Sequence, residues 1–149
     1  MYYILPDKDI QSLVSKWVIN LLADVDIEDL IQPASLDIPV GDKVYLLDQK
    51  FLPFKKNVKN YINKYAVKEF DIKDSSLVLF KGQTYLVPVG NFKLPAEIMG
   101  RLSPKSSIWR IDVLVRWIFD KVGMYDVIPK WSKGSLWLEI IPQSFNIEI

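Results

Sequence analysis

Glu139 lies in "SLWLEII" (135–141), an apolar run that reads as a β-strand. By strand parity Leu136, Leu138 and Ile140 share one face, and Trp137, Glu139 and Ile141 share the other. Both faces are largely apolar, so the strand should be buried on both sides. A carboxylate there is costly unless paired, and desolvation raises its pKa. Beside a bound substrate such a group is a good general acid or base. Beside a buried arginine it is a structural ion pair, and the sequence leaves both readings open. A second stretch, "PKSSIWR" (104–110), gathers two hydroxyls, an ammonium and a guanidinium. Pro104 should end the strand in "EIMGRLS", and a short helix can begin there with serine hydroxyls near free backbone N–H groups. With Lys105 and Arg110 this suits phosphate. The plainer reading is an ordinary serine cap with surface bases. In a third stretch, "IQPASLDIPVG", Asp37 interrupts an apolar run, with Gln32 and Ser35 close by. A turn or a structural pair is the better reading of Asp37.

What is missing narrows the chemistry further. The 149 residues contain no His and no Cys. That removes Ser-His-Asp and Cys-His triads, the usual zinc ligands and any disulfide framework. Carboxylates, hydroxyls, Lys, Arg, Tyr and an oxygen-bound metal such as magnesium remain. Nineteen basic against 18 acidic side chains leave a net charge of +1, which argues against a broad nucleic-acid-binding face. With half its residues hydrophobic, the chain is globular and long enough for one domain, residues 1–149. The opening "MYYILPDKDI" does not read as a secretory leader, and no apolar run reaches the roughly 18 residues that span a membrane. A cytoplasmic protein that binds neither nucleic acid nor membrane is the expectation.

These groups must be positioned by short elements. An amphipathic helix is predicted in "PDKDIQSLVSKWVI", with Asp7 as cap and Ile10, Leu13, Val14 and Trp17 at helical spacing. A helical turn is predicted at 26–31. "ASLDIPVGDKVYLL" reads as two strands broken at Gly41-Asp42. "SSLVLF", "TYLVPVG", "EIMGRLS", "SLWLEII" and "FNIEI" are further short strands, a pattern that implies a sandwich or small barrel. Proline in "LDIPVG" and "LVPVG" implies edges, bulges or strand ends rather than central ladders. Residues 50–68 carry six lysines and no acid, with Val58, Tyr61, Ile62 and Tyr65 at helical spacing. This is a surface helix, either solvated or an anion-binding patch, and solvation is the commoner case. The chain finishes on the apolar strand pattern "FNIEI". Such a strand normally pairs with something, which suggests a piece of a longer architecture or a covering partner.

Taken together these segments resemble the dCTP deaminases of the trimeric dUTPase-like family. The resemblance rests on "ILPDKDI", "IQPASLDIPVG", "FKLPAEIMGRLSPKSSIWR" and "GSLWLEI", four motifs in the family's order. The likeness is nearest to the N-terminal lobe of the long, two-lobed bacterial enzymes. It implies a mainly β fold, a distorted antiparallel β-barrel of β-clip type with an N-terminal helix and short surface helices. It also implies a homotrimer, or packing with a second similar lobe, with sites at the interfaces. The implied reaction is hydrolysis of dCTP to dUTP and ammonia without zinc. Glu139 would be the general base. Ser106 and Arg110 would hold the water and the developing charge. Lys105, Ser106, Ser107 and Arg110 would bind the nucleotide, with magnesium carried on the triphosphate and dTTP as a candidate regulator.

The sequence departs from the family pattern in one loop. Where the family has Asp-Pro-Gly and an aromatic, this chain has "VIPKW": Ile128 stands in the place of the Asp and Lys130 in that of the Gly. The stretch from Trp131 to Glu139 is one residue longer. Lys105 stands where single-lobe enzymes tend to have Arg, and no tail follows to cover the nucleotide. Two other functions fit the same fold. A dUTP diphosphatase would need an Asp-x-Gly-Tyr motif, which is not found. A non-catalytic lobe that binds nucleotide and trimerises is favoured by the altered loop.

Overall fold

The structure, a computed structural model, describes residues 3–16 and 18–149. Helix α1 spans Asp7–Ser15 and buries Ile10. Trp17, placed on this helix by its spacing, lies outside the described residues. Asp7 does not cap α1. Pro6 takes the N-cap place in extended conformation, and its carbonyl accepts the N–H groups of Asp9 and Ile10 at 3.1 Å each. Asp7 instead puts negative charge in the first turn, where the helix dipole favours it. The turn predicted at 26–31 is a 3₁₀ helix over Glu28–Leu30.

Among the described residues twelve strands follow α1: β1 (Ile19–Leu21), β2 (Ile31–Gln32), β3 (Ser35–Leu36), β4 (Lys43–Leu47), β5 (Ala66–Asp71), β6 (Val78–Leu79), β7 (Thr84–Lys93), β8 (Gly100–Arg101), β9 (Val113–Phe119), β10 (Val127–Ile128), β11 (Lys133–Pro142) and β12 (Ile147–Glu148). Helices α2 (Val58–Tyr65) and α3 (Ser106–Trp109) are inserted among them. The main sheet is antiparallel, in the order β5-β4-β7-β11-β9, with β1 also on β7. Pairs β8–β10, β6–β12 and β2–β3 form small ribbons. This is the mainly β architecture with an N-terminal helix and short surface helices that the motifs imply.

Two proline expectations resolve differently. Pro39 lies between β3 and β4, outside the ladders. Pro88 sits in β7, an inner strand, yet costs no ladder bond. The β4 pairing ends at Leu86, β1 takes over at Gly90, and the β7–β11 register shifts beside Pro88. Where β1 crosses, a Cβ on residue 90 would lie 2.4 Å from the Asn20 carbonyl oxygen, so only glycine fits.

The sheet is apolar on both faces. Val44, Val87, Val89, Trp117, Phe119, Leu136, Leu138 and Ile140 belong to the larger core. Leu47, Leu86, Ile118 and Trp137 point the other way and pack under α2 with Phe51, Val58 and Ile62. The basic segment is thus a lid. Its apolar stripe is buried, while its six lysines stay exposed. Lys55, Lys64 and Lys68 lie over the rings of Phe54, Tyr65 and Phe70. Residues 66–68 leave the helix and enter the edge strand β5.

The last strand pairs with something, as its pattern implies, and that partner lies within this chain. Ile147 and Glu148 pair with Leu79 and Val78, and Ile149 and Leu77 exchange two backbone hydrogen bonds of 3.0 Å. The neighbour is β6, which lies inside the predicted strand run "SSLVLF".

One buried acid pins the lid to the sheet. Asp120, 8% exposed, accepts the N–H of Val58 at 2.7 Å with Oδ1 and that of Ser135 at 2.9 Å with Oδ2. The first contact caps α2 from 62 residues away. Gly134 makes room for it: a Cβ there would sit 2.7 Å from the Asp120 Cβ. Replacing Asp120 by Ala strands one buried and one half-buried donor. Denaturant titration should show a loss of about 2–4 kcal/mol, since each stranded group costs about 1–3 kcal/mol.

Candidate functional site

Glu139 occupies the middle of β11, between β7 and β9. Register places it opposite Leu86 on one side and Arg116 on the other, and Leu86 is itself opposite Tyr45 of β4. A row Tyr45–Leu86–Glu139–Arg116 therefore crosses four strands on the face that α2 covers. Glu139 is 1% exposed, and its Oε2 has no hydrogen-bond partner. On the same face Trp137 Nε1 is also buried without a partner. Burial pushes the Glu139 carboxyl above the ordinary glutamate range, while the charges of Lys50 and Arg116 pull it partly back. No ion pair joins Glu139 to an arginine among the described residues. The Arg116 guanidinium lies over the Tyr125 ring, 4.6 Å from its centroid. Burial, and then the negative charge of Glu139, raise the Tyr125 phenol above its ordinary value.

The second motif lies on the surface. Lys105 is the N-cap residue of α3 and makes no side-chain cap bond. Ser106 and Ser107 are the first two helical residues, so Pro104 stands just before the helix rather than inside its first turn. Lys105, Ser106, Ser107 and Arg110 are exposed. Asp37 pairs with Lys105, Nζ to Oδ2 at 2.8 Å. Its role here is thus the structural pair expected for it, and it ties two of the sequence motifs together. Within this one chain, no hydrogen bond or ion pair joins Glu139 to residues 105–110 among the described residues.

The altered loop is part of the core. Ile128 is 2% exposed, pairs with Gly100 and packs in the larger cluster. Trp131 stands in the left-handed region at φ 54° and is 82% exposed. A cleft of about 470 Å³ opens on the flank of Trp137, lined among others by Tyr45, Lys59, Asn63 and Lys68, but Glu139 does not reach it. Among the described residues, no three His, Cys, Asp or Glu side chains converge as a metal site.

Sequence reasoning missed Arg116 and Tyr125. Parity along "VLVRWIF" could have put Arg116 on one face with Ile118. Its register against Glu139 depends on a 13-residue connection, Asp120–Ser132, whose geometry is tertiary.

Fold and site together define a class: a mainly β, antiparallel domain with an acid buried in its central strand and a Lys-Ser-Ser motif on a surface helix. Residues 2–149 match the family described as the 2'-deoxycytidine 5'-triphosphate deaminase (DCD) N-terminal domain. The crystal structure of 2'-deoxycytidine 5'-triphosphate deaminase from Agrobacterium tumefaciens superposes with a TM-score of 0.90 at 35% identity. That alignment covers 98% of this chain and 44% of the Agrobacterium chain, so this chain spans less than half the length of that enzyme. No curated protein matches. The chain belongs to the dCTP deaminase N-terminal domain family.

The raised Glu139 pKa has a consequence for stability. Between the unfolded and folded values the native state holds the proton more tightly, so stability falls as pH rises through the folded value. Glu139→Gln removes this dependence. Its stability relative to the parent should improve from acid toward neutral pH, as read by denaturation midpoints across that range.

Proposed function

We propose that this chain forms a single nucleotide-binding lobe, residues 1–149, of a cytoplasmic enzyme that hydrolyses dCTP to dUTP and ammonia. The observation that carries the reading is the buried Glu139 carboxyl with one unpartnered oxygen, in a chain of the dCTP deaminase family. The Agrobacterium protein is named as a dCTP deaminase, and this chain shares its fold over nearly every residue.

In the proposed mechanism Glu139 acts as general base. It takes a proton from water as the oxygen attacks C4 of cytosine, then passes the proton to the amino group, which leaves as ammonia. A pKa raised by burial makes the carboxylate a stronger base nearer neutral pH. Among its neighbours Arg116, Tyr125 and Lys50 reach solvent, and the ligand approaches from that flank. Ser106 and Arg110 hold the water and the charge that develops. Lys105, Ser106 and Ser107 face the triphosphate. An ammonium, hydroxyls and a guanidinium suit phosphate oxygens rather than a metal. Magnesium would therefore be carried by the nucleotide, neutralising phosphate charge.

Nothing in one chain joins residues 105–110 to Glu139, and the motif is exposed on α3. A neighbouring copy in a homotrimer, or a second similar lobe, would complete the site. Mass measurement in solution should give three chains per particle, or binding to such a lobe. dTTP would compete as a regulator.

One observation favours a second reading. Ile128 is a core residue, so it offers a nucleoside no polar group. A lobe that binds nucleotide and assembles without turnover fits that change. Incubation with dCTP and magnesium decides. Release of ammonia and dUTP is expected, with turnover cut about 10²–10⁴-fold in Glu139→Gln while nucleotide binding survives. Turnover that persists in that variant removes Glu139 from the role. Binding without turnover in the parent supports the second reading, and pyrophosphate released from dUTP reveals a diphosphatase.

A further inference from the structure

Arg116 stands directly across the β9–β11 ladder from Glu139 and shares its face, yet the two do not form an ion pair. An arginine free to rotate would normally close on a buried carboxylate with two parallel hydrogen bonds. Here the guanidinium lies over the Tyr125 ring, 4.6 Å from its centroid. Tyr125 is placed there by its chain neighbour. Asp126, at φ 64°, donates its N–H to the Trp117 carbonyl and accepts the Trp117 N–H with Oδ1, each at 2.9 Å. Trp117 follows Arg116 in β9, so this clamp fixes Tyr125 beside the guanidinium.

We propose that Arg116, braced on Tyr125, is a positioning residue for Glu139: it keeps a fixed positive charge facing the carboxyl without clamping it, and so leaves one carboxylate oxygen free for water. The unpartnered Oε2 is the mark of that arrangement. Clamped by the arginine, Glu139 would be a weak base with no oxygen free. With no cation near, nothing would offset the rise that burial causes. The inference rests on the deaminase reading for its catalytic meaning, but the geometry it describes belongs to the chain alone.

The groups around Glu139 are few. β9 supplies Arg116 and the turn after it Tyr125, β4 supplies Tyr45, α2 supplies Tyr61 and Tyr65, and the segment before α2 supplies Lys50. β7 supplies only Leu86. Lys50 favours the charged carboxyl more than Arg116 does, but it is exposed and no ring is seen to hold it among the described residues. Arg116 is the half-buried cation held by a ring.

The test reads Glu139 itself. The chain has five glutamates, so ¹³C-carboxyl labelling of Glu gives few signals, and the one absent in Glu139→Gln is Glu139. Arg116→Gln should move its titration midpoint up. Tyr125→Leu frees the guanidinium to close on the carboxyl and should move the midpoint down. Arg116→Lys, which keeps the charge, should lie between parent and Arg116→Gln; it carries the test if Arg116→Gln does not fold. With dCTP, Arg116→Gln should lower kcat at neutral pH about tenfold or more, with KM changed less than about twofold and the acidic limb of the pH profile moved to higher pH. Shifts of the same sign in Arg116→Gln and Tyr125→Leu, or no shift in the arginine variants, overturn the proposal. Parent protein that titrates as described but never deaminates dCTP overturns the deaminase reading and leaves this one standing.

Discussion

A carboxyl group fixed in the middle of a sheet is the constraint on which the structure turns. Glu139 lies in the inner strand β11, with β7 and β9 on its flanks and α2 over its face. Bulk water solvates it poorly there, so its charge depends on what the fold brings near. The fold brings two cations by different routes, Arg116 through the ladder and Lys50 through the segment leading to the lid. Neither makes a close ion pair with it.

The lid explains the uneven charge of a nearly neutral chain. Its apolar stripe must reach the sheet, so Val58 and Ile62 are buried. Asp120 holds its first turn, and Phe51 and Tyr61 stack face to face, 4.6 Å between centroids. The outer positions are then free to carry lysine. Several of these lysines lie over aromatic rings instead of pairing with acids. Their charges remain exposed on the outer face of the lid.

Much of the fold was legible in the sequence because it is local. The helical spacing of Val58, Tyr61, Ile62 and Tyr65 is that of α2, and the two-sided apolar pattern around Glu139 is that of an inner strand. Departures came where a distant partner decides. Asp7 lost the cap to Pro6, whose extended backbone needs no side chain for the task. Pro88 lies in an inner strand but at a register shift, one of the places expected for it, and two neighbours share that strand's other edge and leave a gap at the proline. Both "SSLVLF" and "FNIEI" read as strands, but that β6 and β12 pair with each other is decided by the fold.

By itself the sequence determined which residue types were available for chemistry, and it placed Glu139 among apolar neighbours, because alternation along a strand is a local property. It also carried the family motifs, whose order the matched fold repeats. Tertiary structure alone decided the company Glu139 keeps. The register of β9 against β11 sets Arg116 opposite it, a left-handed Asp126 sets Tyr125 under the guanidinium, and one unpartnered oxygen results. Register is fixed by pairing and turn geometry over many residues, and no short stretch of sequence contains it.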